Sequence, residues 1–375
     1  MKATARFWIY AAITAAGTVA GSVFAAQIVV GQVGPMSGLD ANQGRAYAAG
    51  MQLYFNEVNR IGGVNGHTFM LLRKDDFGRP EDTVAITRQL LYEQRPLVLA
   101  GYFGNENISA IVATGLLEKE RIALVGYRTS EVRPDTPYLY SVRASTRDEL
   151  SKFAEHLATT GITRIGLLYE EGTRAPALLS AADGAAARVG ASIVVRASYA
   201  PNTVAVARAV DTFISAQPQA IIMVSSGAAT AAFVERYRGV GGSAQLFAHS
   251  GADIEQLSKR LTEGQMQGIA IAQVTPSPYR VSSRLAKQFI DAVSHAPNLE
   301  VSVSFAMMEG YITARVLAEA VRRQGPSPSR DGMVAALDSL ENLDLGGYVV
   351  SFRGQRFGSK FVELSIVSSA GKIKQ

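Results

Sequence analysis

The chain has 375 residues and no cysteine, which excludes a disulfide framework, a thiolate metal site and a cysteine nucleophile. Its formal net charge of +5 is spread along the sequence without a basic block, so we expect no nucleic-acid partner. The length is too great for one compact core and predicts two lobes.

The first 25 residues have the pattern of a cleaved signal peptide. Lys2 and Arg6 supply the positive start, Phe7–Ala20 is apolar and small, and Val23–Ala25 offers small residues for cleavage before Ala26. A membrane anchor is the alternative, but the apolar stretch is short and rich in Ala, Gly and Thr. We predict residues 1–25 as a leader, a mature chain in the periplasm, and no membrane insertion after cleavage.

The segment after the leader predicts a strand, a turn, a helix and a second strand. Ile28–Val33 is a short apolar run, and the Gly-Pro-rich residues 34–38 break it into a loop. A helix follows because apolar residues recur at helical spacing, namely Tyr47, Met51, Phe55 and Val58. A second strand, Thr68–Leu72, precedes the acidic pair Asp75 and Asp76.

Strands and helices continue to alternate along the chain. Further strands are predicted at Leu97–Gly101, Ile122–Val125, Ile165–Tyr169, Ser192–Arg196, Ala220–Val224, Leu246–Ala248 and Ile269–Val274. Helices are predicted at Pro80–Tyr92, Ile108–Glu118, Ser282–Ser294 and Phe305–Gln324, and a capping box with Thr146 as N-cap and Glu149 three residues later begins another. This order predicts α/β architecture with parallel sheets covered by helices, and ligand-facing loops at the carboxyl ends of the strands.

The turn residues of the first unit resemble those of the leucine/isoleucine/valine-binding protein family of periplasmic solute receptors. The resemblance is carried by the GPMSG loop at 34–38, Gly44, Gly50, the helix exit Asn59–Gly63, Gly66 and the Asp75-Asp76 pair. Any α/β domain uses Gly and Asp at such turns, which is the alternative explanation. The resemblance implies a type I periplasmic binding protein, with two Rossmann-like lobes of parallel sheets flanked by helices, and a structural role for the two aspartates.

The resemblance also implies how the chain divides between lobes. Residues 26–143 and 276–345 are predicted to form the N-terminal lobe, and residues 144–275 and 346–375 the C-terminal lobe. The crossings near Ser141–Ser145, Thr275–Pro278 and Gly346-Gly347 would make a three-crossing hinge. Two sequential domains with one linker are the alternative.

By resemblance, ligand-binding residues are expected on the loops that face the cleft between the lobes. They are Ser37, Gln43, Tyr102, Phe103, Asn105, Arg128, Thr129, Ser130, Arg174 and Ser250. Family members that bind α-amino acids hold the carboxylate with hydroxyls and backbone N–H groups on two of these loops. In this chain Asn105 stands in place of the first hydroxyl, whereas Thr129 and Ser130 preserve the second loop.

The second lobe departs further from the family pattern. The sequence His249-Ser250-Gly251 stands where an acid usually receives the ligand's ammonium group, and Arg174 ends a Gly-Thr-Arg run where a Tyr-Gly pair is usual. An α-ammonium group is therefore expected to be absent or bound differently, with Glu170, Glu171 or Asp253 as alternative acids. Tyr102, Phe103 and Tyr127 would form either an aromatic wall or ordinary core.

Together these patterns predict a periplasmic solute-binding protein of an ABC uptake system. It would bind a small amino-acid-like or carboxylate- or amide-bearing solute and deliver it to the membrane subunits of a permease. The alternative is a receptor that signals to a membrane kinase or chemoreceptor. We expect no cofactor, no metal and no catalytic residue, because hydrolase and phosphate-binding motifs are missing and the four histidines lie in separate units.

Overall fold

The computed structural model describes residues 27–367 and 373–374, so the signal-peptide prediction and Ala26 lie outside the described residues. In chain order the strands are β1 Gln27–Gly34, β2 Thr68–Asp75, β3 Val98–Ala100, β4 Leu124–Val125, β5 Leu139–Tyr140, β6 Arg164–Glu170, β7 Ser192–Tyr199, β8 Ala220–Val224, β9 Gln245–Ala248, β10 Ala270–Gln273, β11 Leu343–Asp344, β12 Val349–Val350, β13 Glu363–Val367 and β14 Ile373–Lys374.

The helices alternate with these strands through most of the chain. They are α1 Ala41–Arg60, α2 Pro80–Gln94, α3 Asn105–Ala113, α4 Leu116–Lys119, α5 Thr146–Thr159, α6 Ala175–Arg188, α7 Ala207–Ala216, α8 Gly227–Gly239, α9 Ile254–Arg260, α10 Glu263–Met266, α11 Arg284–His295, α12 Phe305–Gln324 and α13 Arg330–Asp338, with a short 3₁₀ turn at Ser250–Ala252. No helix in these described ranges is long and apolar enough to cross a membrane.

Five parallel strands form the first sheet, in the spatial order β2-β1-β3-β4-β5. Successive buried residues of a strand face opposite sides of the sheet, as the period of two requires. Val98 and Ala100 belong to the core under α1, α11 and α12, whereas Leu99 between them belongs to the core under α2 and α3. We call this sheet with its helices the first lobe.

The second sheet has seven strands in the order β14-β13-β10-β9-β8-β6-β7. Strands β6 to β10 are parallel, and β13 and β14 add antiparallel strands at one edge. Helices cover both faces, since one core includes Val210 and Phe233 and the other includes Phe153 and Ala182. We call this sheet with its helices the second lobe.

The helices α1 and α12 of the first lobe meet at two glycines. A Cβ atom added to Gly50 would overlap the carbonyl oxygen of Met307, and one added to Gly310 would overlap the carbonyl oxygen of Tyr47. Both glycines have ordinary helical backbone, so closeness of approach, not backbone conformation, requires them. The two helix backbones therefore touch where they cross.

The hydroxyl group of Tyr348 links two other segments that run between the two sheets. Tyr348 is fully buried, and its hydroxyl lies 3.0 Å from the carbonyl oxygens of both Val142 and Val274. Residues 345–352 contribute to the core of the first lobe, and the next strand, β13, belongs to the second sheet. The lobe boundaries themselves stay a prediction.

Two details of the predicted elements were wrong. Ser145, not Thr146, is the N-cap of α5, and it forms the capping box with Asp148. The run from Ser145 to Glu149 fits a capping box in two registers. The structure takes the earlier one, because the Glu149 side chain instead accepts hydrogen bonds from Arg143 and Ser250. The predicted helix Ile108–Glu118 is divided into α3 and α4, since Gly115 adopts the left-handed conformation (φ +62°).

Candidate functional site

A cavity lies between the carboxyl ends of the two sheets and encloses about 630 Å³ not filled by atoms, part of it open to solvent. Its lining comes from both lobes, which parallel sheets facing each other make possible. The lining residues are Asp40, Phe103, Gly104, Asn105, Glu106, Asn107, Arg128, Thr129, Ser130, Arg143, Glu170, Pro201, Asn202, Ser226, His249 and Gly251.

Asn105 organises the first-lobe loops of the cavity. Its side-chain oxygen accepts hydrogen bonds from the Thr129 hydroxyl (2.7 Å) and from the Ser130 backbone N–H (3.0 Å). Its amide nitrogen donates to the Ser130 hydroxyl (2.9 Å) and, across the cleft, to Glu170 (3.1 Å). The hydroxyl loop that sequence comparison assigns to a ligand carboxylate is therefore bonded to Asn105 in this structure.

Two buried arginines, Arg128 and Arg143, also line the cavity, and both already have acidic partners. Arg128 Nε lies 3.3 Å from Glu309, and its Nη1 donates to Gln43 (2.6 Å). Arg143 Nη2 donates to Glu149 (2.9 Å), and Nη1 lies 3.6 Å from Glu309. The guanidinium charges are therefore balanced by two buried glutamates.

Asp40 and Glu170 are two of the three carboxyl groups in the lining, and neither makes an ion pair among the described residues. Asp40 immediately precedes α1, yet its side chain does not cap the helix, and Oδ1 is buried without a hydrogen bond. Glu170 accepts hydrogen bonds from neutral donors, Asn105 and Tyr199. Burial raises the pKa of Asp40 to about 6 against the opposing charge of Arg128, and burial also raises the pKa of Glu170.

His249 is a buried, neutral member of the lining. Its side chain is 4% exposed, and Nδ1 has no hydrogen-bond partner. Burial lowers the pKa of His249 from 6.5 to about 4, because the charged imidazolium would lose its hydration. The neutral ring leaves a ring nitrogen for a polar contact in the cavity.

This depressed pKa predicts a dependence of stability on acid. The neutral His249 favours the folded state fully above pH 6.5, and this stability is lost as the pH falls towards 4, because the unfolded chain then binds a proton that the folded chain does not. Between pH 7 and pH 4 the free energy of unfolding of wild type should fall by about 3 kcal/mol more than that of His249→Gln, measured by urea unfolding. His295→Gln, at the exposed end of α11, is the control and should follow wild type. Parallel profiles for wild type and His249→Gln would contradict the prediction.

Five of the ten residues predicted for the site lie together in the lining: Phe103, Asn105, Arg128, Thr129 and Ser130. The Phe103 ring also lies 5.7 Å from the Arg128 guanidinium carbon. The other five lie outside the lining. Gln43 is directly behind it, accepting from Arg128 and donating to the carbonyl oxygen of Gly251 at 3.3 Å.

The remaining four predicted residues have structural partners instead. Ser37 is exposed and donates to Asp75 (2.7 Å), and Tyr102 is core, with its hydroxyl 2.9 Å from that of Thr87. Arg174 is 3.7 Å from Glu131, beside the cavity. The backbone N–H of Ser250 donates to Glu149 (2.7 Å), and its hydroxyl contacts Glu149 and Arg143.

Some alternatives left open by the sequence can now be placed. Glu170 lines the cavity, whereas Glu171 is exposed and accepts from Ser198 (2.8 Å). Tyr127 is buried in the core of the first lobe.

The aspartate pair Asp75 and Asp76, for which a structural role is expected, accepts hydrogen bonds from nearby loop and helix residues. Asp75 accepts from the Met36 and Phe77 backbone N–H groups, and Asp76 accepts from Thr83 and the Gly78 N–H.

Sequence reasoning missed Asp40, Glu106, Arg143, Ser226 and residues 201–202 in the lining. Asp40 precedes a helix, and Ser226 is the N-cap of α8, where its hydroxyl accepts from Ala229, so both look like ordinary capping residues. Arg143 lies in the connection between lobes. Their positions could have indicated the site, since Asp40 and Ser226 lie on loops that follow predicted strands and so face the cleft.

The lobes are in contact across the cleft in this structure. Besides the bond from Asn105 to Glu170, Gln43 reaches the Gly251 carbonyl and Gln256 donates to the carbonyl oxygen of Leu39 (3.1 Å). Each of these bonds joins a residue of one lobe to a residue of the other. The conformation is therefore a closed one, with the cavity held between the lobes.

Two parallel-sheet lobes around a central cavity define a ligand-binding protein of the two-lobe class. The chain belongs to the periplasmic binding protein family, whose sequence model matches residues 27–360. Members of this family bind solutes and are not enzymes. The family resemblance and the α/β fold class predicted from the sequence are thereby confirmed.

Solved structures agree with this assignment. A substrate-binding periplasmic protein from Ralstonia solanacearum is similar at 35% identity over 93% of this chain and 99% of that one, with a TM-score of 0.87. The branched-chain amino acid transporter substrate binding protein LivJ from Streptococcus pneumoniae, solved in complex with isoleucine, shares the fold at 16% identity and a TM-score of 0.77, covering 93% of this chain and 98% of that one.

A shorter similarity exists to a curated protein from Pseudomonas aeruginosa named amino acid binding protein. The two are 31% identical over 78 residues, and the match covers 21% of each. The chain therefore spans about a fifth of the length of this curated relative.

Proposed function

We propose that this protein is the periplasmic solute-binding component of an ABC uptake system. It captures a small amino-acid-like or carboxylate- or amide-bearing solute in the cavity between its lobes and delivers it to a membrane permease. The observation that carries the proposal is a cavity lined by both lobes, in which polar groups converge from the ends of eight strands. The name of LivJ, a transporter substrate binding protein with the same fold, supports a transport role.

In this proposal, binding works by closure. A solute in the open form contacts one lobe, whereas in the closed form it contacts residues of both, so it shifts the equilibrium towards the closed form. Asn105, Arg128, Thr129 and Ser130 would hold it from the first lobe. Because Asn105 already bonds to the hydroxyls and the Nε of Arg128 faces Glu309, the remaining N–H groups of the Arg128 guanidinium are the most available donors for an anionic or accepting group.

A ligand screen with a scattering measurement tests solute binding and closure together. A thermal-shift panel of amino acids, aliphatic acids, amides and amines identifies a ligand, which adds about 2.7 kcal/mol to stability at a hundred times its Kd. Small-angle scattering should then show a smaller radius of gyration with ligand than without. The same radius at saturation would contradict closure, and no ligand in the whole panel would contradict solute capture.

The permease step needs its own experiment. Cells that lack this protein should lose high-affinity uptake of the ligand so identified, and expression of the whole chain should restore it. Loss of a transcriptional or chemotactic response to the ligand, with uptake unchanged, would instead establish the sensory alternative.

A further inference from the structure

We infer that the solute carries a cationic nitrogen, which is held between Asp40 of the first lobe and Glu170 of the second. The inference rests on the proposed solute-binding function and specifies the class of solute. It is carried by the charges in the cavity lining, by the position of Asp40 and by the kind of side chain that the lining contains.

The first step is the balance of charge. The two arginines of the lining are each paired with a buried glutamate, so they leave no excess positive charge. In the described part of the chain, neither Asp40 nor Glu170 makes an ion pair with a lysine, arginine or histidine. Glu106 adds a third carboxyl group to the same lining. The unfilled cavity therefore has excess negative charge.

The second step is the orientation of Asp40. An aspartate that precedes a helix usually caps it with its side chain, which stabilises the helix by about 1 kcal/mol. Asp40 gives up that contact, and its Oδ1 is buried without a hydrogen bond, where the charge of Arg128 favours its ionised form and the charge of Asp253 opposes it. A buried carboxyl group near another is costly unless something compensates its charge. A cation in the cavity would supply that compensation.

The third step is that the two acids come from opposite lobes. Asp40 follows β1 and Glu170 ends β6, and each lines the same cavity. Closure brings their negative charges towards each other, and the charge of Asp40 acts on Glu170. A cation between them converts this repulsion into attraction from both sides, so it favours the closed form. The buried His249, whose Nδ1 has no hydrogen-bond partner, adds a neutral polar ring to the lining.

The lining also indicates what the solute lacks. Among the described residues that line the cavity there is no Leu, Ile, Val or Met, and Phe103 is the one Phe, Tyr or Trp. A branched aliphatic side chain would find polar groups that it cannot satisfy. Leucine, isoleucine and valine are therefore expected to be poor ligands, and small polar amines good ones.

The experiment compares probes that differ by the cationic nitrogen alone. Calorimetry is carried out with three matched pairs: γ-aminobutyrate and butyrate, β-alanine and propionate, and ethanolamine and ethylene glycol. Further amino acids and polyamines extend the set of amines. Leucine, valine and calcium chloride are the probes that are expected to bind poorly. At least one amine should bind more than tenfold tighter than its uncharged or anionic analogue. Tight binding of calcium instead of amines would overturn the inference.

Variants of the two acids then test their part. Asp40→Asn and Glu170→Gln should each weaken the best amine by about ten- to a hundredfold, since each loses a charged partner. Glu171→Gln, at the exposed neighbouring position, is the matched control and should bind like wild type. Melting temperatures without ligand show whether each variant folds.

The outcomes separate this inference from the proposed function. If the tightest ligand is an acid or amide without a cationic nitrogen, or if Asp40→Asn and Glu170→Gln both retain full affinity for the amine, the inference is wrong and solute binding stands. Strong binding of leucine or valine also overturns it. If no compound of any class binds, the proposed function fails as well.

Discussion

Gly310→Ala is expected to lower the free energy of unfolding by about 3 kcal/mol. The added methyl group would overlap the backbone carbonyl oxygen of Tyr47, and a backbone atom cannot move aside as the end of a flexible side chain can. The α1–α12 pair would have to separate, which loosens the core that contains Met51, Met307 and Ile312. Urea unfolding followed by circular dichroism measures the change.

Gly184→Ala is the matched control for this prediction. Gly184 lies within α6, where an added Cβ meets nothing closer than the end of the Arg188 side chain at 4.0 Å. Alanine there should stabilise the protein by about 0.5–1 kcal/mol, because it is the better helix former. Equal effects of the two substitutions would show that close approach of α1 and α12 does not matter.

Glu309→Ala should lower the free energy of unfolding by about 3–5 kcal/mol, at least as much as Gly310→Ala. Glu309 is 2% exposed at its side chain and lies 3.3 Å from Arg128 and 3.6 Å from Arg143. Its removal leaves two buried guanidinium groups with less compensation for their positive charge. The unfolding midpoint in urea should fall, and ligand affinity should fall with it because Arg128 would lose its position.

The comparison for this second prediction is Glu341→Ala. Glu341 also pairs with an arginine, Arg353, but the two side chains are 49% and 70% exposed. Exposed pairs contribute about 0–1 kcal/mol, so the substitution should be nearly neutral. A loss at Glu309 no larger than the loss at Glu341 would mean that the buried network does not stabilise the fold.

Much of the fold could be predicted from the sequence because its turns are marked by residues with few alternatives. Apolar runs such as Ala220–Val224 and the glycines after them fix where strands end, and the predicted and observed limits agree there. Helix starts were less certain. Ser145 and Thr146 cap equally well, and only Glu149's bonds to Arg143 and Ser250 decide the register.

The site was harder to predict because the same type of polar side chain can bind a ligand, cap a helix or bond to another loop. Sequence position placed Asn105, Thr129 and Ser130 near the ligand, but it did not show that they bond to one another. Asp40 has the appearance of a helix cap, and its missing capping bond is visible only in three dimensions. Contacts between residues far apart in the chain decide such cases.

The bonds of Asn105 also bear on the heat that binding should release. A solute that reached the Thr129 and Ser130 hydroxyls would replace hydrogen bonds that Asn105 already makes to them. The enthalpy gained is then the difference between two similar sets of hydrogen bonds and not the sum of the new ones. A receptor built in this way exchanges internal partners for external ones, so the heat released on binding should be smaller than the number of polar contacts to these hydroxyls suggests.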